Sequence, residues 1–248
     1  MSKFLFEVCC GSTDDAIQSQ KAGADRVELN SNLFHGGLTP TVGSLIATKQ
    51  SVSIPVMTMI RPRQGGFCYS DAEYRTAQAD AEQLLLHGSD GLVFGFLNDD
   101  GTVDVERCRQ MVALAGGKQT VFHRALDVVP DWKKALEQLI GLGVTRVLTS
   151  GQMPDVFYGA ETIRQMIDFV QGAIEILPGA GVNDLNINRI IEITGCTQLH
   201  VARHETRIDR SCSGNPSIFF GGMLYPSEIA YEVVDSGYIA NLRTVSGK

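Results

Sequence analysis

The stretch "PVMTMIRPRQGGFCYSDAEY", residues 55–74, holds a strand, a loop and a helix start in that order. Met57, Met59 and Arg61 alternate with Val56, Thr58 and Ile60, as side chains do on the two faces of a pleated strand. Pro62 and the Gly65–Gly66 pair then break the strand. Ser70 with Glu73 forms a capping box, in which Glu73 reaches back to the free N–H of Ser70. A helix is therefore expected over 71–87, which completes one βα unit.

The same order repeats to both ends of the chain. On the N-terminal side, "FLFEVCC" (4–10) precedes a helical pattern at 13–22, and "DRVELN" (25–30) precedes one at 41–50. On the C-terminal side, "GLVFGFL" (91–97) precedes 104–115, "QTVFHRA" (119–125) precedes 131–142, and "RVLTSG" (146–151) precedes 158–171. "IEILPGAG" (174–181) is followed by 184–194, and "TQLHVAR" (197–203) by 226–240. These are eight strand–helix pairs, spaced about 20–35 residues apart. Thr39-Pro40 reads as a helix N-cap followed by proline at the first helical position. Gly23, Gly88 and Gly143 stand where helices should end in the left-handed conformation.

Eight such units suit either a closed (β/α)8 barrel or a long open sheet. "CCGSTDDA" after the first strand lacks the GxGxxG turn that open dinucleotide-binding sheets carry. Eight parallel strands also close without leaving an edge. The α/β fold expected is thus a single-domain TIM-type (β/α)8 barrel spanning 1–248, with a long loop at about 203–225 between strand eight and the last helix.

A net charge of −7 argues against a nucleic-acid or anionic-membrane surface, so any arginine cluster must act locally. No apolar run reaches the length of a membrane span. The N-terminal "MSKFLFEVCC" is too short for a signal-peptide core. Six cysteines without an export signal are expected as reduced thiols, which points to the cytoplasm.

In barrels of this kind ligands bind at the C-terminal ends of the strands. Glu7, Cys9, Glu28, Asn30, Arg61, Arg63, His123, Arg124, Asp127, Ser150 and His200 all fall there. Taken singly, each has an ordinary structural explanation. A buried glutamate can simply close an ion pair, and a lone histidine can be a satisfied core residue. Taken together, two glutamates, two to three arginines and two histidines at one end would be costly to bury without a ligand. Arg61 and Arg63 suit charge clamps for a small anion, joined by Arg124, Asp127, Ser150 and His200. Glu7, Glu28 and His123 are the acid–base candidates if the protein is an enzyme. The turn at Gly179–Gly181 resembles an anion-binding loop, although glycines also make plain tight turns.

The cysteines show no CxxC or zinc-finger spacing. Cys9 and Cys10 point to opposite faces if the strand runs through them, so Cys9 with Cys68 is the better thiolate pair for a soft ion such as Cu(I). Met57 and Met59 are expected as core packing. The loop after strand three thus stays open among an anion site, a soft-metal site and a merely basic turn.

The strings "FEVCC", "AGADRVEL", "GGLTPTVG", "IRPR" with "GFCYSD", "FHRALD", "VLTSG" and "PGAGV" resemble the CutC family of copper homeostasis proteins, collinearly from residue 4 to about 182. The resemblance implies a TIM-type barrel, a cytoplasmic homo-oligomer and a role in copper tolerance or trafficking. It also implies Cu(I) as the bound ion, with Cys9, Cys10 and Cys68 as the positions that fit a cysteine site. Beyond His200 the match weakens, because "VARHETR" stands where small hydroxyl-bearing residues are expected. Two functional expectations follow from different classes: a Cu(I)-binding homeostasis protein, or an enzyme acting on a small phosphorylated or carboxylated metabolite.

Overall fold

A computed structural model describes residues 4–215, 217–220 and 228–247. Eight parallel strands form the barrel: β1 (Leu5–Cys10), β2 (Arg26–Leu29), β3 (Val56–Met59), β4 (Gly91–Phe94), β5 (Gln119–Phe122), β6 (Arg146–Thr149), β7 (Glu175–Pro178) and β8 (Gln198–Val201). Their order is β7-β6-β5-β4-β3-β2-β1-β8, so seven junctions are hydrogen-bonded ladders. The eighth junction closes by packing of β7 against β8, where the Cβ position of Gly179 lies 3.0 Å from His200 Cβ. The fold is a single-domain (β/α)8 barrel.

The helices alternate with the strands as α1 (Thr13–Lys21), α2 (Val42–Ser51), α3 (Asp71–Leu86), α4 (Val105–Leu114), α5 (Trp132–Leu142), α6 (Ala160–Val170), α7 (Ile187–Thr194) and α8 (Ser236–Val245). Both halves of the Ser70–Glu73 capping box are formed. Gly23, Gly88 and Gly143 take positive φ at the ends of α1, α3 and α5. No helix among the described residues is long and apolar enough to cross a membrane.

Three starts differ from expectation. Helix α2 is capped by Thr41, whose Oγ1 accepts from Ser44 N–H, because Thr39 Oγ1 instead accepts from Arg61 N–H at 2.9 Å. Helix α7 begins after an Asx turn, in which Asn183 Oδ1 accepts from the N–H groups of Leu185 and Asn186. The last helix starts at Ser236, capped by Asp235, and not at 226. The segment before it is β10 (Ala230–Val234), which pairs antiparallel with β9 (His204–Ile208). The expected loop at 203–225 thus contains a strand, and its positions 216 and 221–225 lie outside the described residues.

The barrel lumen has three levels. At the N-terminal ends of the strands, Arg26, Gln119, Arg146, Glu175 and Gln198 form a polar layer. Arg146 Nε donates to Glu175 at 2.7 Å, and Gln198 joins the two ends by accepting from Arg26 and donating to Glu175. Above it, Met57, Met59, Val93, Val121, Leu148 and Leu177 make an apolar plug separate from the outer core. The expectation that both methionines pack in the interior is met. The third level is the mouth.

Gly91 lets the lower two levels meet. A Cβ there would overlap Met57 Cε and stand 2.5 Å from the Gln119 carbonyl oxygen. Met57 can turn aside, but the backbone of β5 cannot do so without loosening its ladder to β4. Gly91→Ala is therefore expected to lower stability by about 1–3 kcal/mol, measured by urea unfolding, with an unchanged m-value.

Candidate functional site

The mouth is built from inward positions just beyond the apolar plug. Cys9 on β1 and Glu28 on β2 are register partners, and Glu7 pairs with both Arg26 and His200 across its two neighbouring strands. Glu7 is 1% exposed. One of its oxygens accepts from Arg26 Nε, and the other meets His200 Nδ1 at 2.8 Å. Burial alone would raise the Glu7 carboxyl, but the adjacent Arg26 guanidinium and the His200 contact hold it well below the usual carboxylate range. Glu7 is thus an ion-pair residue and not an acid–base group facing the cavity, the structural outcome that was open for it.

His200 presents its remaining nitrogen to the mouth. Burial opposes its charged form, but the Glu28 carboxylate, Cys9 and Glu7 hold it well above its ordinary value. Glu28 is buried, with Oε2 accepting from Asn30 Nδ2 at 2.9 Å, and burial raises its carboxyl. Cys9 is half-buried, with its thiol 3.8 Å from Glu28 Oε2. Burial pushes that thiol up to about 11, opposed by His200 and aided by Glu28. One donor atom from each of Cys9, Glu28 and His200 lies within 4.8 Å of the other two, a spacing that admits one cation between them.

All six cysteines are free, but they do not converge. Cys10 points outward into the layer beneath α1, with Sγ 3.4 Å from Ser19 Oγ, and its thiol is pushed up chiefly by burial. Cys68 is exposed and lies outside the Cys9–Glu28–His200 group. The expected Cys9–Cys68 pairing is therefore replaced by a mixed sulfur, oxygen and nitrogen set. Arg63 Nη2 donates to the Cys68 carbonyl at 2.9 Å, and it is the neighbouring Phe67, not Cys68, that lines the cavity.

Arg63 is itself a loop staple. It donates to Glu73 Oε1 at 2.6 Å and to the carbonyls of Gln64 and Gly66, and it stacks over Tyr69. It does not line the cavity, unlike Arg61. Arg61 donates to the carbonyls of His35, Gly37 and Gly65, tying the β2–α2 and β3–α3 loops together. Arg124 lines the far wall, paired with Asp127 at 2.8 Å and bonded to Ser150 Oγ at 2.8 Å. Asp127 also accepts from the N–H groups of Ser150 and Gln152, so Asp127 and Ser150 organise the β6 loop and do not face the cavity.

His123 is 4% exposed. Its Nδ1 accepts from Ala125 N–H at 3.1 Å, and its Nε2 is buried at the cavity wall without a partner. Burial and the nearby Arg61 charge pull its imidazole down to about 3, so it is a neutral ring. Gly95 makes room for it, because a Cβ there would overlap His123 Cε1. The Gly179–Gly181 turn is not an open anion cradle, since the Asp155 carboxylate occupies the place a Gly181 Cβ would take.

Four participants were not foreseen in the sequence. Arg26 is Glu7's partner, Phe67 packs tilted against the His123 ring with centroids 4.8 Å apart, and His204 with Glu232 brings the β9–β10 pair to the cavity. Arg26 was readable, because it stands two residues before Glu28 and so shares its face. Phe67, His204 and Glu232 lie in segments whose course no periodicity fixes.

The molecule is thus a (β/α)8 barrel whose mouth gathers a thiol, a carboxylate and an imidazole at one cavity. The profile described as the CutC family matches residues 4–205, and the chain belongs to that family. A CutC family protein of Treponema denticola is 50% identical over 233 residues, covering 94% of this chain and 95% of that one. The human copper homeostasis protein cutC homolog is 42% identical over 243 residues, covering 98% of this chain and 89% of its own. A crystal structure of CutC from Streptococcus agalactiae superposes with a TM-score of 0.76 at 36% identity, over 79% of this chain and 97% of that one.

The coupling through Glu7 is directly testable. Folding holds Glu7 below its free value of 4.5, so its contribution is present above that range and is lost as pH falls through it. His200, held above 6.5, contributes below that value and loses its contribution as pH rises through the folded one. Glu7→Gln leaves Arg26 buried without its counter-charge, an expected loss of about 3–5 kcal/mol in urea unfolding. The same substitution should bring the His200 titration, followed by NMR, down toward its ordinary value.

Proposed function

We propose that this protein binds a single Cu(I) ion in the cytoplasm, at Cys9, Glu28 and His200, and that this binding is its part in copper homeostasis. The convergence of those three donors at the barrel mouth carries the reading. Thiolate and imidazole are the soft and borderline ligands that suit Cu(I), and Glu28 supplies a negative charge beside the ion. Glu7 orients His200 from behind, the outer-shell support that metal-bound imidazoles require. The names of the mammalian relatives, copper homeostasis protein cutC homolog, support the same reading. Copper is cargo in this role: the site holds the ion and carries out no reaction on it.

The test is an anaerobic Cu(I) titration against a competing chelator. Cys9→Ser and His200→Ala are each expected to weaken binding by about 100-fold or more, beyond the span seen for outer-shell partners. Cys68→Ser should leave it unchanged. Because the Cys9 thiol is protonated at neutral pH, affinity should rise by about tenfold per pH unit for each proton displaced. Equal affinity of wild type and Cys9→Ser would overturn the assignment.

A further inference from the structure

The cation group occupies one side of a cavity of about 500 Å³, far more space than an ion requires. The opposite side carries an unbalanced positive charge. Arg61 is 7% exposed and is met by three neutral carbonyl oxygens, with no carboxylate against it among the described residues. The arginines lower in the barrel are handled differently, since Arg26 is matched by Glu7 and Arg146 by Glu175. A buried guanidinium without a counter-charge is costly and calls for an anion.

Beside Arg61 lies a donor with nothing to donate to. The Ala125 N–H fixes His123 Nδ1 as an acceptor, so Nε2 carries the proton of the neutral ring. That N–H is buried at the cavity wall and unpartnered, with Phe67 packed against the ring. Across the cavity, Glu28 Oε1 and His204 Nε2 are also buried without partners. Of the six buried side-chain atoms without partners among the described residues, five belong to residues lining this one cavity. Native structures rarely leave such atoms unpaired, so their concentration here marks the place of a ligand.

We propose that the mouth binds a small hydroxycarboxylate, its carboxylate against Arg61 and the His123 Nε2–H and its hydroxyl toward the Glu28 and His204 side. Charge sets the orientation, because the cationic and neutral donors stand just beyond the ends of β3 and β5 while Glu28 stands on β2. The cavity exceeds the needs of a three- or four-carbon acid, and Phe67, Met59 and Leu148 supply an apolar wall for its carbon chain. The carboxylate subsite uses none of the three cation donors, while the hydroxyl side shares Glu28 with them, so the ligand is tested on the metal-free protein.

D-glycerate and glycerol are the probes, titrated calorimetrically into the metal-free full-length protein. Saturable binding of D-glycerate without comparable binding of glycerol is expected, together with a shift of the His123 Nε2 resonance in imidazole-detected ¹⁵N NMR. His123→Phe, which keeps an aromatic ring against Phe67 but removes the donor, should weaken binding by about tenfold or more. Absence of D-glycerate binding, equal binding of glycerol, or full affinity in His123→Phe would overturn the proposal. Should that variant fail to fold, the wild-type resonance decides alone, and an unmoved His123 signal at saturation would refute the contact.

Discussion

The Glu7 carboxylate holds the two ends of this barrel in one arrangement. One oxygen accepts from Arg26 in the polar layer at the base, and the other meets His200 at the mouth. Because β1 lies between β2 and β8, this one side chain spans both seams on either side of the first strand. Removing it would leave Arg26 without its carboxylate and His200 without the contact that fixes its ring. The same buried acid thus stabilises closure and fixes the His200 ring at the cavity wall, which couples the stability of the fold to the geometry of the mouth.

The mouth above Glu7 is divided by charge. Cys9, Glu28 and His200 gather on the β8–β1–β2 side, while Arg61 and His123 stand just beyond the ends of β3 and β5. The division follows from register. Glu28 is held on its side by Asn30, two residues along the same face, and Arg61 is held on the other by carbonyls of two loops. Neither side neutralises the other. A cavity with two poles suits two ligand chemistries, a cation where the sulfur lies and an oxyanion where the guanidinium lies.

Most of this architecture was legible in the sequence because alternation and helix caps are local. The eight strands, the Ser70 capping box and the outward turn of Cys10 all follow from period-two patterning and capping chemistry. The same rule, carried one step back from Glu28, would have supplied Arg26. Distance across loops was not legible. Cys68 was expected beside Cys9 because both should lie near the barrel mouth, but Arg63 braces the loop through Glu73 and the Cys68 carbonyl, and Cys68 is exposed. The segment "AYEVV" (230–234) has strand composition, yet counting βα units demanded a helix there; its pairing with 204–208 is a long-range contact that no local pattern reveals.

That pairing changes how the mouth is enclosed. In a plain barrel the loop after β8 would leave the cavity open above His200. Here β9 begins at His204, three residues after β8 ends, and β10 returns beside it to place Glu232 at the same rim. The strand pair is anchored to the barrel from below, since Val234 N–H donates to Asp15 Oδ1 at 2.7 Å and Asp235 N–H donates to the Arg203 carbonyl. Asp15 also accepts from Gly11 N–H at the end of β1, so one carboxylate joins the rim strand to the strand that carries Cys9. A wall fastened in this way adds His204 and Glu232 to the cavity that Cys9, Glu28 and His200 line. Burial raises the Cys9 thiol and the Glu28 carboxyl together, while the Glu28 carboxylate and Glu7 hold His200 up, so the three groups bear on one another's charge.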